Sequence, residues 1–280
     1  MNKPEVLLAG LTFPEAPRWR GDKLWFSDFY SHRVMTVGLD GRADTIVQVP
    51  RQPSGLGWTP AGELLIVSML DRCLLRFDGK QLHQVADLSA LATGPCNDMV
   101  VDAAGRAYVG NFGYDRHKGE AERSACLARI DADGSVVRAA DDLKFPNGMV
   151  ITPDGKTLIV GETFAGRLTA FDIGADGALS NRRIFAAIPG GHPDGICLDA
   201  EGAVWVSNPR GDHLVRVFEG GRIAQTVATG ARGSYACMLG GPDRRTLFIL
   251  TNSGSGPAIA AKADGRIEVL RVEVPGAGLP

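Results

Sequence analysis

The 280-residue sequence has no apolar run long enough to span a bilayer as a helix. It also lacks any excess of basic charge: 30 Lys and Arg stand against 32 Asp and Glu, a formal net charge of −2. That balance argues against nucleic acid or an anionic membrane as the main partner. Cysteine is sparse. Cys73, Cys96, Cys126, Cys197 and Cys237 form no Cys-x-x-Cys pair, and an odd number cannot pair completely within one chain. Free thiols in a reducing compartment are therefore expected. The opening residues, Met1-Asn2-Lys3-Pro4-Glu5, lack the apolar core of a signal peptide. Together these point to a soluble, cytoplasmic protein, a monomer or small homo-oligomer. No long stretch has helical periodicity.

Glycine, by contrast, is abundant at 36 residues. Many glycines follow aspartate, at Asp40-Gly41, Asp78-Gly79, Asp133-Gly134, Asp154-Gly155, Asp176-Gly177 and Asp264-Gly265. Asp-Gly between short apolar runs signals a hairpin, because Gly accepts a positive φ and Asp tolerates one. The chain reads as strands and turns.

One phrase recurs along it: a small or polar residue, an apolar stretch, a turn, then a second apolar stretch ending in a polar residue. Clear copies begin at Asn97-Asp98-Met99, Asn147-Gly148-Met149 and Asp194-Gly195-Ile196; weaker ones begin at Glu15, Ser54 and Ala236. The spacings are 39, 43, 50, 47 and 42 residues. A period of roughly 40 to 50 residues is that of a four-stranded propeller blade. The predicted fold is all-β: one six-bladed β-propeller domain over residues 1–280, with four-stranded antiparallel blades. The segment Glu5-Val6-Leu7-Leu8-Ala9 precedes the first phrase and is predicted to join the last blade and close the ring.

The first strand of each propeller blade lines the central channel, so the first positions of the six phrases face one another. They are Glu15, Ser54, Asn97, Asn147, Asp194 and Ala236. Two carboxylates and two carboxamides converge with no base at an equivalent position, and carboxylates so placed repel and raise each other's pKa. A hard divalent cation satisfies such a set of oxygen ligands, and the lack of His and Cys argues against structural zinc. Ca²⁺ is the first choice; Mn²⁺, Mg²⁺, Zn²⁺ and Fe²⁺ suit an open oxygen site as well. Taken singly, Asn-Gly and Asp-Gly are also ordinary turn dipeptides. The shared register across blades, with Glu15 in a Pro-Glu-Ala-Pro context, favours the cation.

These phrases also carry a family likeness. Pro14-Glu15-Ala16-Pro17-Arg18-Trp19, Leu24-Trp25-Phe26-Ser27-Asp28, Asn97-Asp98, Phe145-Pro146-Asn147-Gly148 and Pro193-Asp194-Gly195-Ile196 resemble the SMP-30/gluconolactonase/luciferin-regenerating-enzyme family along nearly the full chain. The resemblance implies a six-bladed propeller acting as a metal-dependent lactonase on a small lactone or ester. It implies Glu15, Asn147 and Asp194 as metal ligands, Asn97 as a further ligand or substrate contact, and Asp194 as general base. Sugar-lactone members often carry an Arg two residues before the Asn matching Asn97, where this chain has Pro95. Its absence leaves room for a less polar lactone or ester. Two other readings stay open: a phosphotriesterase or aryl esterase on the same scaffold, and a non-catalytic propeller that binds a ligand.

Several features stand beside this site. The ends of the second strands, Asp28, Met69, Asn111, Glu162, Asn208 and Asn252, are expected at the opposite edge of the blades, supporting the fold. The loop from Phe112 to Glu120 makes blade three the longest, and either covers the channel mouth or is an inert insertion. His192 is either an acid near Asp194 or an exposed turn residue. Cys96 reads as packing, since no base partners it, and Trp19, Trp25, Trp58 and Trp205 as inter-blade core.

Overall fold

The computed structural model describes residues 3–280. Its strands form six four-stranded antiparallel sheets arranged as a six-bladed β-propeller. The innermost strands are Pro14–Arg20, Pro53–Trp58, Cys96–Val101, Pro146–Ile151, Ile196–Leu198 and Gly233–Gly240. Each pairs outward with the next strand in sequence, as short hairpin connections require. The sixth blade is completed from the other end of the chain: Glu5–Leu11 pairs with Gly265–Arg271, so the ring closes on the N-terminal strand. Closure leaves no blade with a missing fourth strand.

Five of the six Asp-Gly pairs are turns, with glycine φ between +70° and +93° at Gly41, Gly79, Gly134, Gly155 and Gly177. The sixth is not. Gly265 opens a strand, where an added Cβ would lie 2.6 Å from Pro14 Cδ, so this glycine serves close packing of the last blade on the first.

The core lies between blades. The two buried faces of each sheet meet their neighbours through aliphatic and aromatic side chains, each contributing about 1.5–3 kcal/mol when fully buried. All four tryptophans lie at these seams or within the core: Trp19 stacks on Phe248 at 5.5 Å, Trp25 meets Trp58 edge to face at 5.5 Å, and Trp205 is 1% exposed. The five cysteines are free and buried. At the end of the channel opposite Glu15, the C-terminal tail crosses the inner strands. Leu279 exchanges backbone hydrogen bonds with Ile151 at 2.8 and 2.9 Å, and Ala277 N–H donates to Leu198 O at 2.9 Å. Among the described residues no helix is long and apolar enough to cross a membrane.

Candidate active site

At the start of the inner strands the ladder is interrupted. In blades one to four the register shifts between Glu15 and Arg18, Pro53 and Leu56, Cys96 and Met99, and Pro146 and Met149. A bulge of this kind bends a strand and re-aims a side chain. Glu15, Ser54, Asn97 and Asn147 occupy these irregular stretches. Asp194 reaches the same level just before its strand, held by Asp194 N–H donating to Ser207 O at 3.1 Å. The glycines that follow explain why the inner strands approach so closely. An added Cβ at Gly55 would lie 2.4 Å from Met99 N, at Gly148 2.5 Å from Ile196 N, and at Gly195 2.6 Å from Ala236 Cα. Asn147-Gly148 and Asp194-Gly195 are therefore points of blade-to-blade contact, not hairpin turns. In blade one Ala16 takes this place with φ 48°, a left-handed conformation that costs an ordinary residue energy.

Glu15, Asn97, Asn147 and Asp194 line one cavity of about 270 Å³ and are 5–8% exposed. Burial, then the charge of Asp194, pushes the Glu15 carboxyl well above the usual carboxylate range. Asp194 is likewise pushed well up by burial, with Asp98 adding to the rise while Asn147 and, after it, Arg116 work against it. Below them Arg18 is committed elsewhere: Nη2 donates to Asp98 Oδ1 and Met99 O at 2.6 Å, and Nε to Leu56 O at 2.9 Å. One guanidinium thus ties blade one to blades two and three and neutralises Asp98, leaving Glu15 and Asp194 without a dedicated cation. The Asn147 amide nitrogen donates to Thr163 Oγ1 at 3.2 Å, and Thr163 in turn donates to Pro193 O at 2.7 Å. That chain fixes which end of the Asn147 carboxamide is left for the cavity. The Asn97 Nδ2 group is buried without a hydrogen-bond partner among the described residues.

Among the described residues no three His, Cys, Asp or Glu side chains form a ligand group. The donor set is two repelling buried carboxylates with amide oxygens beside them, which fits a hard divalent cation and not a thiolate or imidazole metal.

Two sequence expectations require correction. The channel position in blade six is not Ala236. Gly233 pairs with Asn252 as Pro146 pairs with Glu162, so the counterpart of Asn147 is Ser234. Ser234 is fully buried and accepts a hydrogen bond from Asn208 N–H at 2.9 Å, while Tyr235 lines the cavity. The second-strand ends do not lie at the far edge either. Pro14 pairs with Asp28, Cys96 with Asn111 and Pro146 with Glu162, because an antiparallel partner ends where the inner strand begins. In blade two the pairing of Pro53 puts Ser68, not Met69, at this station. These side chains nonetheless hold backbone and loops: Asp28 Oδ1 accepts from Thr12 and Phe13 N–H, and Glu162 from Lys144 N–H, Thr169 and Arg167.

The walls were not legible in the sequence. Phe13, Phe29, Met69, Phe112, Phe145 and Tyr235 surround the cavity, and Tyr30, whose phenol is pushed up to about 12 by burial, joins them. The loop after Phe112 is a cover: Arg116, His117 and Lys118, in a one-turn 3-10 helix capped by Asp115, sit at the mouth. His192 also lines the cavity, with Nδ1 buried and unpartnered and Nε2 3.3 Å from Arg210 Nη1; burial, then Arg210, lowers its pKa. Pro95 is part of the wall, and Cys96 is 1% exposed in the core.

A family model described as SMP-30/Gluconolactonase/LRE-like region matches residues 13–253. The chain is 27% identical to 6-deoxy-6-sulfogluconolactonase of Pseudomonas putida, over 95% of this chain and 93% of that protein. It is 30% identical to regucalcin of Danio rerio, over 72% of this chain and 66% of the other. The crystal structure of regucalcin from Agrobacterium tumefaciens str. C58, described as a calcium-binding protein, superposes with a TM-score of 0.83 at 23% identity, covering 99% of this chain and 96% of that one. That last likeness is one of fold.

Proposed function

The chain belongs to the SMP-30/gluconolactonase/LRE-like family, and from that premise we propose that it is a metal-dependent lactonase, opening a small lactone to its hydroxy acid. The observation that carries the proposal is the convergence of Glu15 and Asp194 with Asn97 and Asn147 at the floor of a walled cavity. The activity for which the Pseudomonas relative is named, that of a lactonase aligned over almost the whole chain, supports it.

Glu15, Asn147 and Asp194 would hold a divalent cation, with Asn97 beside them. Bound there, the cation supplies Lewis acidity toward a carbonyl oxygen and offsets the two negative charges. The rest of the chemistry belongs to the side chains. Asp194 orients a water molecule and takes its proton as the water oxygen attacks the carbonyl carbon. When the ring C–O bond breaks, the same proton passes to the departing alkoxide. A base that both accepts and returns a proton in this way is worth about 10²–10⁴ in rate. Asn97, whose Nδ2 has no partner among the described residues, donates to the substrate at the floor. Asn147 is held in one orientation through Thr163.

The test is direct. The purified protein is stripped with a chelator, and acid release from a lactone panel is followed with a pH indicator before and after Ca²⁺, Mn²⁺, Mg²⁺ and Zn²⁺ are returned. Hydrolysis that returns with a metal supports the proposal; its absence for every lactone and metal refutes it. An Asp194→Ala variant with full activity would refute the site assignment alone.

A further inference from the structure

Above the floor the cavity offers a substrate little to hydrogen-bond. Its aromatic bank is continuous: Phe112 stacks on Phe145 at 4.3 Å, Phe145 meets Phe164 at 4.8 Å, and across the cavity Phe13 meets Tyr235 at 4.6 Å. His192 Nδ1 apart, the buried polar groups among these walls are engaged, Thr163 and Gln52 among them. Thr163 donates to Pro193 O, and Gln52 Nε2 contacts Met69 Sδ at 2.9 Å. A buried hydroxyl without a partner costs about 1–3 kcal/mol, so a polyol body would be penalised here for each hydroxyl group, whereas a flat apolar body would not.

The mouth is different. Arg116, from the cover of blade three, and Arg210, from a loop of blade five, both line the cavity, and neither has a carboxylate partner among the described residues. Their guanidinium carbons lie 6.0 and 5.9 Å from the centroid of one ring, Phe164. The neighbouring rim cation, Lys118, is paired with Asp115 at 3.1 Å. Two guanidiniums brought from separate blades to one aromatic ring, both lining the cavity and without a carboxylate partner among the described residues, form a receptor for an anion, since each presents a planar fork of donors. At about 270 Å³ the cavity is at the small end for ligand sites and suits a one- or two-ring molecule.

We propose that the substrate is a lactone or ester with a flat, apolar, aromatic body and an anionic substituent, the body lying against the phenylalanine bank and the anion held at the mouth by Arg116 and Arg210. This rests on the lactonase reading for the reacting group, but the body and the anion are argued independently of it. The arginines touch a part of the substrate that does not change during reaction, so their hold on the anion acts on ground and transition states alike and appears as a difference in KM between charged and neutral substrates.

The experiment has a kinetic arm and a binding arm on the intact, Ca²⁺-supplemented protein. In the first, kcat and KM are measured for 3,4-dihydrocoumarin, its 6-carboxylate and D-glucono-1,5-lactone. The carboxylate is expected to have a KM roughly tenfold below that of the neutral parent, a gap that closes in Arg116→Gln/Arg210→Gln and narrows with added salt; any change in kcat that loss of the Arg116 charge brings at Asp194 is shared by the two substrates and cancels from the comparison. Gluconolactone is expected to be the poorest of the three. In the second, calorimetry compares naphthalene-2-sulfonate with its neutral sulfonamide; the sulfonate is expected to bind roughly tenfold tighter to the wild type and equally to the double variant. Equal binding of the two probes, or an anion preference that survives in the double variant, overturns the inference. Anion-selective binding without turnover of any lactone would sink the lactonase reading and leave the mouth assignment standing; turnover blind to charge would do the reverse. Both arginines are exposed and, among the described residues, outside any ion pair, and salt dependence in the wild type supplies a readout that needs no variant.

Discussion

Replacing Glu15 by Gln is expected to stabilise the metal-free protein while removing its response to metal. In the metal-free fold Glu15 and Asp194 are both held well above the ordinary carboxylate range, first by burial and then by charge. The folded protein therefore binds more protons than the unfolded chain between the ordinary carboxylate pKa near 4 and the raised folded values. Across that window their contribution to stability falls as pH rises, the reverse of an ion-paired carboxylate. Chelated wild type should accordingly lose stability from this pair as pH rises above the ordinary carboxylate range, and a divalent cation should restore it. Glu15→Gln removes one of the two charges and keeps an oxygen for the Ala16 N–H that Glu15 Oε2 now accepts at 2.9 Å. A gain of about 1–2 kcal/mol is in line with relief of one unfavourable buried group. With an unfolding entropy of about 2.1 cal/mol/K per residue, a chain of this length has a slope near 0.6 kcal/mol/K, so Tm should rise by about 2–3 °C. Cation at one hundred times its Kd adds about 2.7 kcal/mol, or 4–5 °C, to wild type and should add little to the variant. Thermal melts in chelator and in Ca²⁺ across pH 5 to 8 measure all of this. A chelated Glu15→Gln protein less stable than wild type at pH 7.5, or a variant that keeps the cation-induced shift, would refute the reasoning.

Three further outcomes follow from the same geometry. Arg18→Met should destabilise by about 3–5 kcal/mol in urea melts, because it strands buried Asp98, and adding Asp98→Asn should recover much of the loss. Gly148→Ala should cost at least the 1–3 kcal/mol typical of overpacking, since its Cβ meets backbone at 2.5 Å, whereas Gly155→Ala, with open space around it, should cost about 1–2 kcal/mol for its positive φ alone. The five thiols should resist a disulfide reagent at pH 8 in the native protein and all react in denaturant, because every one is buried and burial pushes Cys73 up to about 11 and Cys96 higher still.

How far the molecule could be read from its sequence depended on what each signal repeats with. Blade number and ring closure were legible because a period of 40 to 50 residues survives loop variation. The register within a blade was less so. A slip of two residues keeps every side chain on its own face, so nothing in the apolar pattern distinguishes Ala236 from Ser234 as the channel position. In Leu64–Ser68 all five residues are buried, so the strand shows no alternation and even a slip of one, Met69 for Ser68, passes unseen. Glu15, Asn97, Asn147 and Asp194 were found because polar residues at a fixed place in an apolar phrase stand out. Arg18 and Asp98 pair across 80 residues with no local sign. Phe13 shares its station with Gln52, Pro95 and Phe145, and Phe29 with Met69, Phe112 and Thr163, so no constant residue type marked the walls in the sequence.

The bulge at the head of the inner strand in blades one to four separates what a channel position carries from how its blade is paired. The ladder resumes at Arg18, Leu56, Met99 and Met149 whether the channel residue before it is Glu, Ser or Asn. Each of these four blades thus offers one address at which a side chain can be exchanged while the pairing beyond it stays the same, and Ser54, 3.4 Å from the Asn97 amide oxygen, is an address still holding a neutral letter. Single substitutions at such a hub can change what it binds, and an engineer wishing to add a donor would begin at Ser54.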